Sequence, residues 1–221
     1  MNQVQYRTQI AQPVTAVEMN KVLRNTYALL SMTLLFSALM AGVSMALNLP
    51  HPGLLLTLVG YFGLLFATTR FRNSALGLVF VFALTGFMGY TLGPILNAYI
   101  ALANGGQLVM TAMGATGTIF LGMSGYALVS RRDFSFMGSF LMVGILVGFF
   151  AAIGAILFEI PALSLAVSAV FVLLMSGLIL YETSNIIHGG ETNYILATTT
   201  LYMSIYNMFS WLLLLFGMGE D

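Results

Sequence analysis

The strongest constraint in this sequence is a succession of seven long apolar segments. Charged residues, prolines and polar clusters separate the segments, which cover residues 25–49, 53–69, 75–100, 107–130, 136–158, 162–187 and 194–217. Most of them hold about 20 residues or more, the length that an α-helix needs to cross a hydrocarbon core of about 30 Å. Apolar residues run consecutively within them, whereas the strands of a transmembrane barrel alternate apolar and polar residues. The pattern predicts an all-α membrane protein with seven transmembrane helices.

The composition excludes several other classes of protein. Of the 221 residues, 59% are hydrophobic and only 6% are charged, against about 25% charged residues in an average soluble domain. A soluble globular enzyme is therefore excluded, and we expect a protein that is not an enzyme. The seven basic residues form no patch for phosphates, so nucleic acid is not an expected partner. The absence of cysteine excludes a disulfide-stapled domain.

The positions of the charges predict the orientation in the membrane. All seven basic residues fall on one side once the seven crossings are threaded: Arg7, Lys21, Arg24, Arg70, Arg72, Arg131 and Arg132. The opposite side carries Glu159, Glu220 and Asp221. Because cytoplasmic loops hold the excess of Lys and Arg, we expect a cytoplasmic N-terminus and a C-terminus outside. Removing one crossing would scatter the basic residues over both sides, so the charges also support the count.

The chain divides into a short tail and one membrane domain. Residues 1–20 are polar, contain Pro13 and lack strong periodicity, so they are predicted to form a mobile cytosolic tail. Residues 21–221 are predicted to form one seven-helix transmembrane domain. Gly93 and Pro94 lie near the end of the third segment, where proline removes a backbone donor, and we expect a kink or a break there.

Glu182 is the charged residue that lies within an apolar segment. It precedes the cytoplasmic end of the sixth segment by about six residues, and Asn185 follows one turn later on the same helix face. A charged side chain at the bilayer centre costs about 2.5–3.5 kcal/mol or more, so such residues mark functional sites. We interpret Glu182 as a candidate proton or ion site.

The seventh segment carries a polar stripe that could meet Glu182. Its positions are spaced by 4, 3, 4 and 3 residues, which keeps them on one helix face: Asn193, Ala197, Thr200, Ser204 and Asn207. The loop between the last two segments is short, so the two helices are antiparallel neighbours. The stripe is then either part of an ion or proton site or polar glue between helices beside a neutral glutamate.

Two kinds of partner for the Glu182 carboxyl group stay open. We expect it to be neutral and hydrogen-bonded to Thr200, Ser204 and Asn207. Alternatively, Arg70 or Arg72 at the inner end of the second segment could reach in and hold the ionised form.

Metal and catalytic sites are not expected. His51 and His188 lie on opposite sides of the predicted membrane, and no spacing resembles a zinc site, so neither a metal nor a cofactor is predicted. Residues 122–125 read Gly-Met-Ser-Gly, which is similar to the GxSG motif of rhomboid proteases. The second segment has no histidine or asparagine for an oxyanion hole, and small residues at a helix contact explain the motif equally well.

Four stretches resemble a known family. They are KVLRNTYALLSMTLLFSA (21–38), LPHPGLLLTLVG (49–60), TGFMGYTLGPILNAYI (85–100) and YETSNIIHGGETNYI (181–195). They are similar to the Bax inhibitor-1 family of seven-helix membrane proteins, and most of all to its bacterial branch of modulators of the FtsH protease. The resemblance covers nearly the whole chain after residue 20.

The resemblance implies a fold and two alternative functions. The fold has six helices around a central seventh and lies in the bacterial inner membrane, in contact with lipid. For the bacterial branch, the resemblance implies binding to the membrane-anchored protease FtsH and restraint of its activity. For other members, it implies a pH-sensitive leak of calcium, gated by a pair of acidic residues on helices 6 and 7.

The acidic pair is incomplete in this sequence. Glu182 matches the acid of helix 6, but Ser204 occupies the position expected for the acid of helix 7. Two carboxylates that share a site are coupled in their protonation, and a single carboxylate loses that coupling. The resemblance therefore favours the FtsH modulator, and a calcium or proton leak that uses Glu182 is the alternative.

Overall fold

A computed structural model describes residues 16–218, and this part of the chain consists of seven α-helices without a β-strand. The helices are α1 (Ala16–Ala46), α2 (Leu54–Arg70), α3 (Ala75–Ile100), α4 (Gly105–Ser130), α5 (Met137–Leu157), α6 (Pro161–Ile187) and α7 (Tyr194–Gly217). The all-α fold with seven helices is confirmed. The bounds of α2 to α7 agree with the apolar segments to within two residues.

The start of α1 differs from the prediction. The helix begins at Ala16 rather than near residue 25, and its 31 residues span about 46 Å at ~1.5 Å per residue. This length exceeds the ~30 Å thickness of a hydrocarbon core, so the first turns of α1 extend beyond the core. Those turns are polar, and hydropathy therefore did not predict that they belong to the helix. Residues 16–20 of the proposed tail thus belong to α1, and its residues 1–15 lie outside the described part of the chain.

The helices match membrane spans in length and composition. Within residues 16–218, six helices are long and apolar enough to cross a bilayer, and α2, with 17 residues, is shorter. At ~1.5 Å per residue, α2 measures about 25 Å, close to the thickness of the hydrocarbon core. The protein is therefore a multi-pass membrane protein.

The seventh helix is the centre of the bundle. Within the described chain, α7 packs against α1, α2, α3, α4 and α6, and each of its residues is buried or half-buried. Helix α5 packs on α6 alone among these helices, so it reaches α7 through α6. The predicted arrangement around a central seventh helix is confirmed, with α5 as its outermost member.

Glycines let α1 and α3 approach closely. A Cβ atom at Gly89 would collide with the carbonyl oxygen of Ser37, and one at Gly93 would lie 2.5 Å from the Cβ atom of Ser44. Because no other residue type fits these positions without a backbone shift, the GxxxG spacing in α3 serves packing within the chain.

Helix α3 continues without a break through Pro94. The proline lacks the N–H that would normally bond the carbonyl oxygen of Tyr90, four residues earlier. The hydroxyl of Ser44 in α1 donates to that oxygen at 3.0 Å. The neighbouring helix α1 thus satisfies the carbonyl oxygen that Pro94 leaves without a backbone partner. Such a contact allows a proline to be accommodated inside a membrane helix.

Candidate functional site

Glu182 lies on the interior face of α6. Its side chain is 5% exposed, and Ile179 and Ile186, one turn away on either side, are 0% and 1% exposed. Among residues 16–218, its carboxyl group makes no hydrogen bond with another side chain. The structure therefore confines an acidic group within the bundle without a dedicated polar partner.

Two side chains of the polar stripe of α7 bond carbonyl oxygens of their own helix. The Ser204 hydroxyl donates to the carbonyl oxygen of Thr200 at 2.9 Å, and the Asn207 amide donates to the carbonyl oxygen of Met203 at 2.9 Å. The predicted hydrogen bonds from Glu182 to this stripe are thus not formed. Ser204 is 1% exposed, so the stripe still contributes polar atoms to the interior, and its role in an ion or proton site stays a prediction.

The two candidate arginine partners point elsewhere. Arg70 is exposed, and its guanidinium lies 5.8 Å from the centre of the Phe71 ring. Arg72 is exposed as well, and within the described chain neither arginine forms an ion pair with Glu182.

Asn193 caps α7 rather than facing Glu182. Its side-chain oxygen accepts from the backbone N–H groups of Ile195 and Leu196 at 3.0 and 3.1 Å. Its amide nitrogen donates to the carbonyl oxygen of Arg72 at 3.1 Å and to the side-chain oxygen of Asn73 at 2.8 Å. Such a cap satisfies the free donors of a helix start, and here it also ties that start to the loop between α2 and α3.

Asn185, the last of the predicted site residues, stands where α6 ends. Its backbone carbonyl oxygen accepts from Gly190 at 2.9 Å and from Glu191 at 3.3 Å. The chain between them turns through Gly189, whose φ of 76° favours glycine. The side chain of Asn185 is half-buried beside this turn. The residue therefore helps to close α6, one turn after Glu182.

A hydroxyl cluster joins three helices next to Glu182, and sequence reasoning missed it. The Tyr27 hydroxyl of α1 contacts the Ser124 hydroxyl of α4 and lies 3.2 Å from the Thr183 hydroxyl of α6. The sequence features that could have indicated the cluster are Ser124, among the glycines of α4, and Thr183, next to Glu182. Neither of them indicates that Tyr27 of α1 is the partner. The cluster holds α6 in place at the position of the buried acid.

The end of α6 holds the loop between α4 and α5. The Ser184 hydroxyl accepts from the backbone N–H of Phe134 at 3.0 Å and donates to the carbonyl oxygen of Arg132 at 3.1 Å. The ring nitrogens of His188 lie 2.8 Å from the carbonyl oxygen of Ser184 and 3.2 Å from that of Arg131. Ser124 bonds Tyr27 and does not pair with His188 in the described chain. The serine beside His188 is Ser184, whose hydroxyl lies 3.3 Å from the Nδ1 atom of the ring.

In the same loop, the pKa of Asp133 is lowered from its ordinary value. The backbone N–H of Ser135 donates to its carboxylate at 2.8 Å, and the Ser135 side chain and the charge of His188 act in the same direction. These contacts stabilise the ionised carboxylate.

The described residues hold no group of three or more His, Cys, Asp or Glu side chains that could bind a metal ion.

Fold and site together define a class of protein: a multi-pass helical membrane protein with a buried acid beside its central helix. A family model described as "Inhibitor of apoptosis-promoting Bax1" matches residues 19–221. The chain belongs to the Bax inhibitor-1 family.

Bacterial relatives match almost the whole chain. The chain is 54% identical over 201 residues to a protein of Escherichia coli K12 named "Modulator of FtsH protease YccA", with 91% of each chain covered. The same identity holds for "Inner membrane protein YccA" of Escherichia coli O6:H1. An uncharacterised protein of Pseudomonas aeruginosa is 53% identical over 210 residues. The predicted resemblance to the family and to its bacterial branch is confirmed.

Proposed function

We propose that this protein binds the membrane protease FtsH and restrains its activity from within the bacterial inner membrane. The observation that carries the proposal is the 54% identity, over 91% of both chains, to a protein named as a modulator of FtsH. The match covers 91% of both chains, so almost all of the protein named as a modulator has a counterpart in this chain. The proposal follows the expectation of a regulator that is not an enzyme.

The architecture limits where FtsH would bind. Each residue of α7 is buried or half-buried, so a partner contacts the outer helices or the loops. Helix α5 offers a broad free surface, since it packs on α6 alone among the described helices. The loop between α4 and α5, held by Ser184, is an ordered surface beside it.

The binding test is co-purification from detergent-solubilised membranes. The tagged protein should retain FtsH, whereas an unrelated multi-pass protein with the same tag should not. In liposomes that hold FtsH and one of its membrane substrates, adding the protein should slow degradation of the substrate. Degradation at an unchanged rate, together with a failure to retain FtsH, would reject the proposal.

A leak of calcium or protons is the second candidate function. The observation that favours it is Glu182, a carboxyl group that is 5% exposed and has no side-chain hydrogen bond in the described chain. Such a residue is expensive inside a membrane and is usually retained for function. Ser204 weighs against a leak controlled by two coupled acids, because it supplies no second carboxylate.

Glu182→Gln separates the two candidates. Glutamine keeps the size of the side chain and removes its charge, so the variant should fold and restrain FtsH as before. Any calcium or proton flux into liposomes should be lost. A loss of FtsH binding in a folded Glu182→Gln variant would instead place the buried acid in the regulatory function.

Ser204→Asp places an acid at the position of α7 where the family resemblance expects one. Two adjacent carboxylates repel each other unless they share a proton or a divalent ion, so the variant should show a stronger, pH-dependent calcium flux in liposomes. Ser204→Asn is the uncharged control of similar size. If the unmodified protein already conducts calcium as strongly as Ser204→Asp, the leak becomes the favoured function.

A further inference from the structure

The bundle contains a cavity between α1 and α4. The backbones of these two helices do not come into contact in the described chain, although the Tyr27 side chain bridges them at one end. Toward the other end lies a cavity of about 530 Å³. Its walls come from four helices, with Ala41 of α1, Leu96 of α3, Val109 of α4 and Phe209 of α7 among them.

The lining of the cavity is suited to hydrocarbon rather than to water. Its tyrosine hydroxyls are already engaged, that of Tyr202 with Ser37 at 2.6 Å and that of Tyr206 with Thr91 at 3.4 Å. The Thr116 hydroxyl donates to a carbonyl oxygen of its own helix at 2.7 Å. A buried water needs two to four polar partners, and the groups named here are occupied.

The cavity opens toward the lipid-facing surface of the protein. Leu35 and Leu39 of α1 are 72% and 60% exposed, and Met110 and Met113 of α4 are 75% and 60% exposed. Met113 also lines the cavity. These apolar side chains lie within membrane-spanning helices, so the mouth is continuous with the surface that contacts lipid.

We propose that this cavity binds one acyl chain of a membrane phospholipid, which enters between α1 and α4. Its volume decides against a transmembrane helix of a partner, because a helix 10–12 Å across with a pitch of 5.4 Å fills roughly 500 Å³ per turn. About one turn would fit, far less than a span. An extended hydrocarbon chain fits the space and supplies the van der Waals contacts that an empty apolar space forfeits.

Two glycines allow the cavity to be filled without disturbing its walls. Gly42 of α1 and Gly117 of α4 line the cavity, and a Cβ atom on either would meet no atom within 4 Å. The pair Gly42→Leu and Gly117→Leu should therefore occupy the space of the acyl chain. Gly63 of α2 and Gly114 of α4 also have open surroundings but do not line the cavity, so the same change there is the matched control.

The test places a fluorescent reporter at the inner wall. In a Trp211→Phe background, which removes the single tryptophan, Phe209→Trp introduces the reporter on the central helix. The protein is reconstituted in phosphatidylcholine with bromine atoms at mid-chain, which quench tryptophan on contact. We expect quenching of this buried reporter close to that of a lipid-facing reporter, Leu39→Trp. The cavity-filling pair should abolish it, and the control pair should leave it unchanged.

Two results would overturn the proposal: a reporter at position 209 that is not quenched, or quenching that the filling pair does not reduce. A second measurement does not depend on Phe209→Trp folding. After delipidation in detergent, native mass spectrometry should find one phospholipid more on the unsubstituted protein than on the filled variant. Equal lipid counts, or a polypeptide in place of the lipid, would also overturn the proposal.

Discussion

Helices α5 and α7 show how differently two membrane helices of one chain are used. Helix α5 is the more hydrophobic of the two, yet only 17% of its most apolar stretch is buried inside the protein. Helix α7 is less hydrophobic, and 50% of the corresponding stretch is buried. In a soluble protein the more hydrophobic helix would be the inner one, so the surrounding lipid reverses the usual rule.

The less hydrophobic helix lies inside because the protein is surrounded by lipid rather than by water. Lipid tails are as apolar as leucine, so the hydrophobic effect does not select which apolar helix lies inside. Polar groups select it, because they find hydrogen-bond partners in the interior. In α7, Tyr202 contacts Ser37 of α1, and the Thr198 hydroxyl donates to the carbonyl oxygen of Thr26 at 3.2 Å.

The largest expected difference between the two helices comes from truncating a leucine. Leu201 of α7 is 0% exposed and Leu146 of α5 is 49% exposed. Leu201→Ala should lower the free energy of unfolding by about 2 kcal/mol or more, because it leaves a cavity in packed surroundings. Leu146→Ala should change it by less than about 0.5 kcal/mol. Unfolding in sodium dodecyl sulfate, followed by circular dichroism, measures both, and equal losses would contradict the comparison.

Adding a methyl group to a glycine should have opposite effects inside and outside. Gly89→Ala brings a Cβ atom against the backbone of α1 at Ser37 and should cost about 1–3 kcal/mol. Gly154 of α5 has open space around it, so Gly154→Ala should stabilise the helix by up to about 1 kcal/mol. The same unfolding measurement tests both signs. Destabilisation by Gly154→Ala would contradict the comparison, because it would mean that the added methyl group meets another part of the protein.

Removing one hydroxyl of α7 should have the smallest effect. Tyr202→Phe deletes the hydroxyl that contacts Ser37 and donates to the carbonyl oxygen of Thr85 at 3.3 Å. A hydrogen bond between membrane helices is worth about 0.6 kcal/mol on average and about 1.7 kcal/mol at most. A double-mutant cycle with Ser37→Ala isolates the Tyr202–Ser37 contribution. Ser139→Ala on the exposed face of α5 is the control and should have no measurable effect.

The candidate site was predictable in its position and not in its contacts. Glu182 was identifiable because an acid within an apolar segment is costly, and its burial agrees with that argument. Its predicted partners were not found, because Ser204 and Asn207 bond carbonyl oxygens of their own helix. Helical spacing shows which side chains share a face. It does not show whether a hydroxyl turns toward its own backbone or toward a neighbouring helix.

Hydropathy and charge in the sequence alone determined the number of helices, most of their bounds, the membrane environment and the position of the buried acid. These features depend on local composition, because each helix satisfies its backbone hydrogen bonds within itself. Only the tertiary structure decided that α5 lies outermost, that Ser44 serves the carbonyl oxygen freed by Pro94, and that a cavity separates α1 from α4. Those features depend on how neighbouring helices fit together, and residues distant in the sequence contribute to each fit.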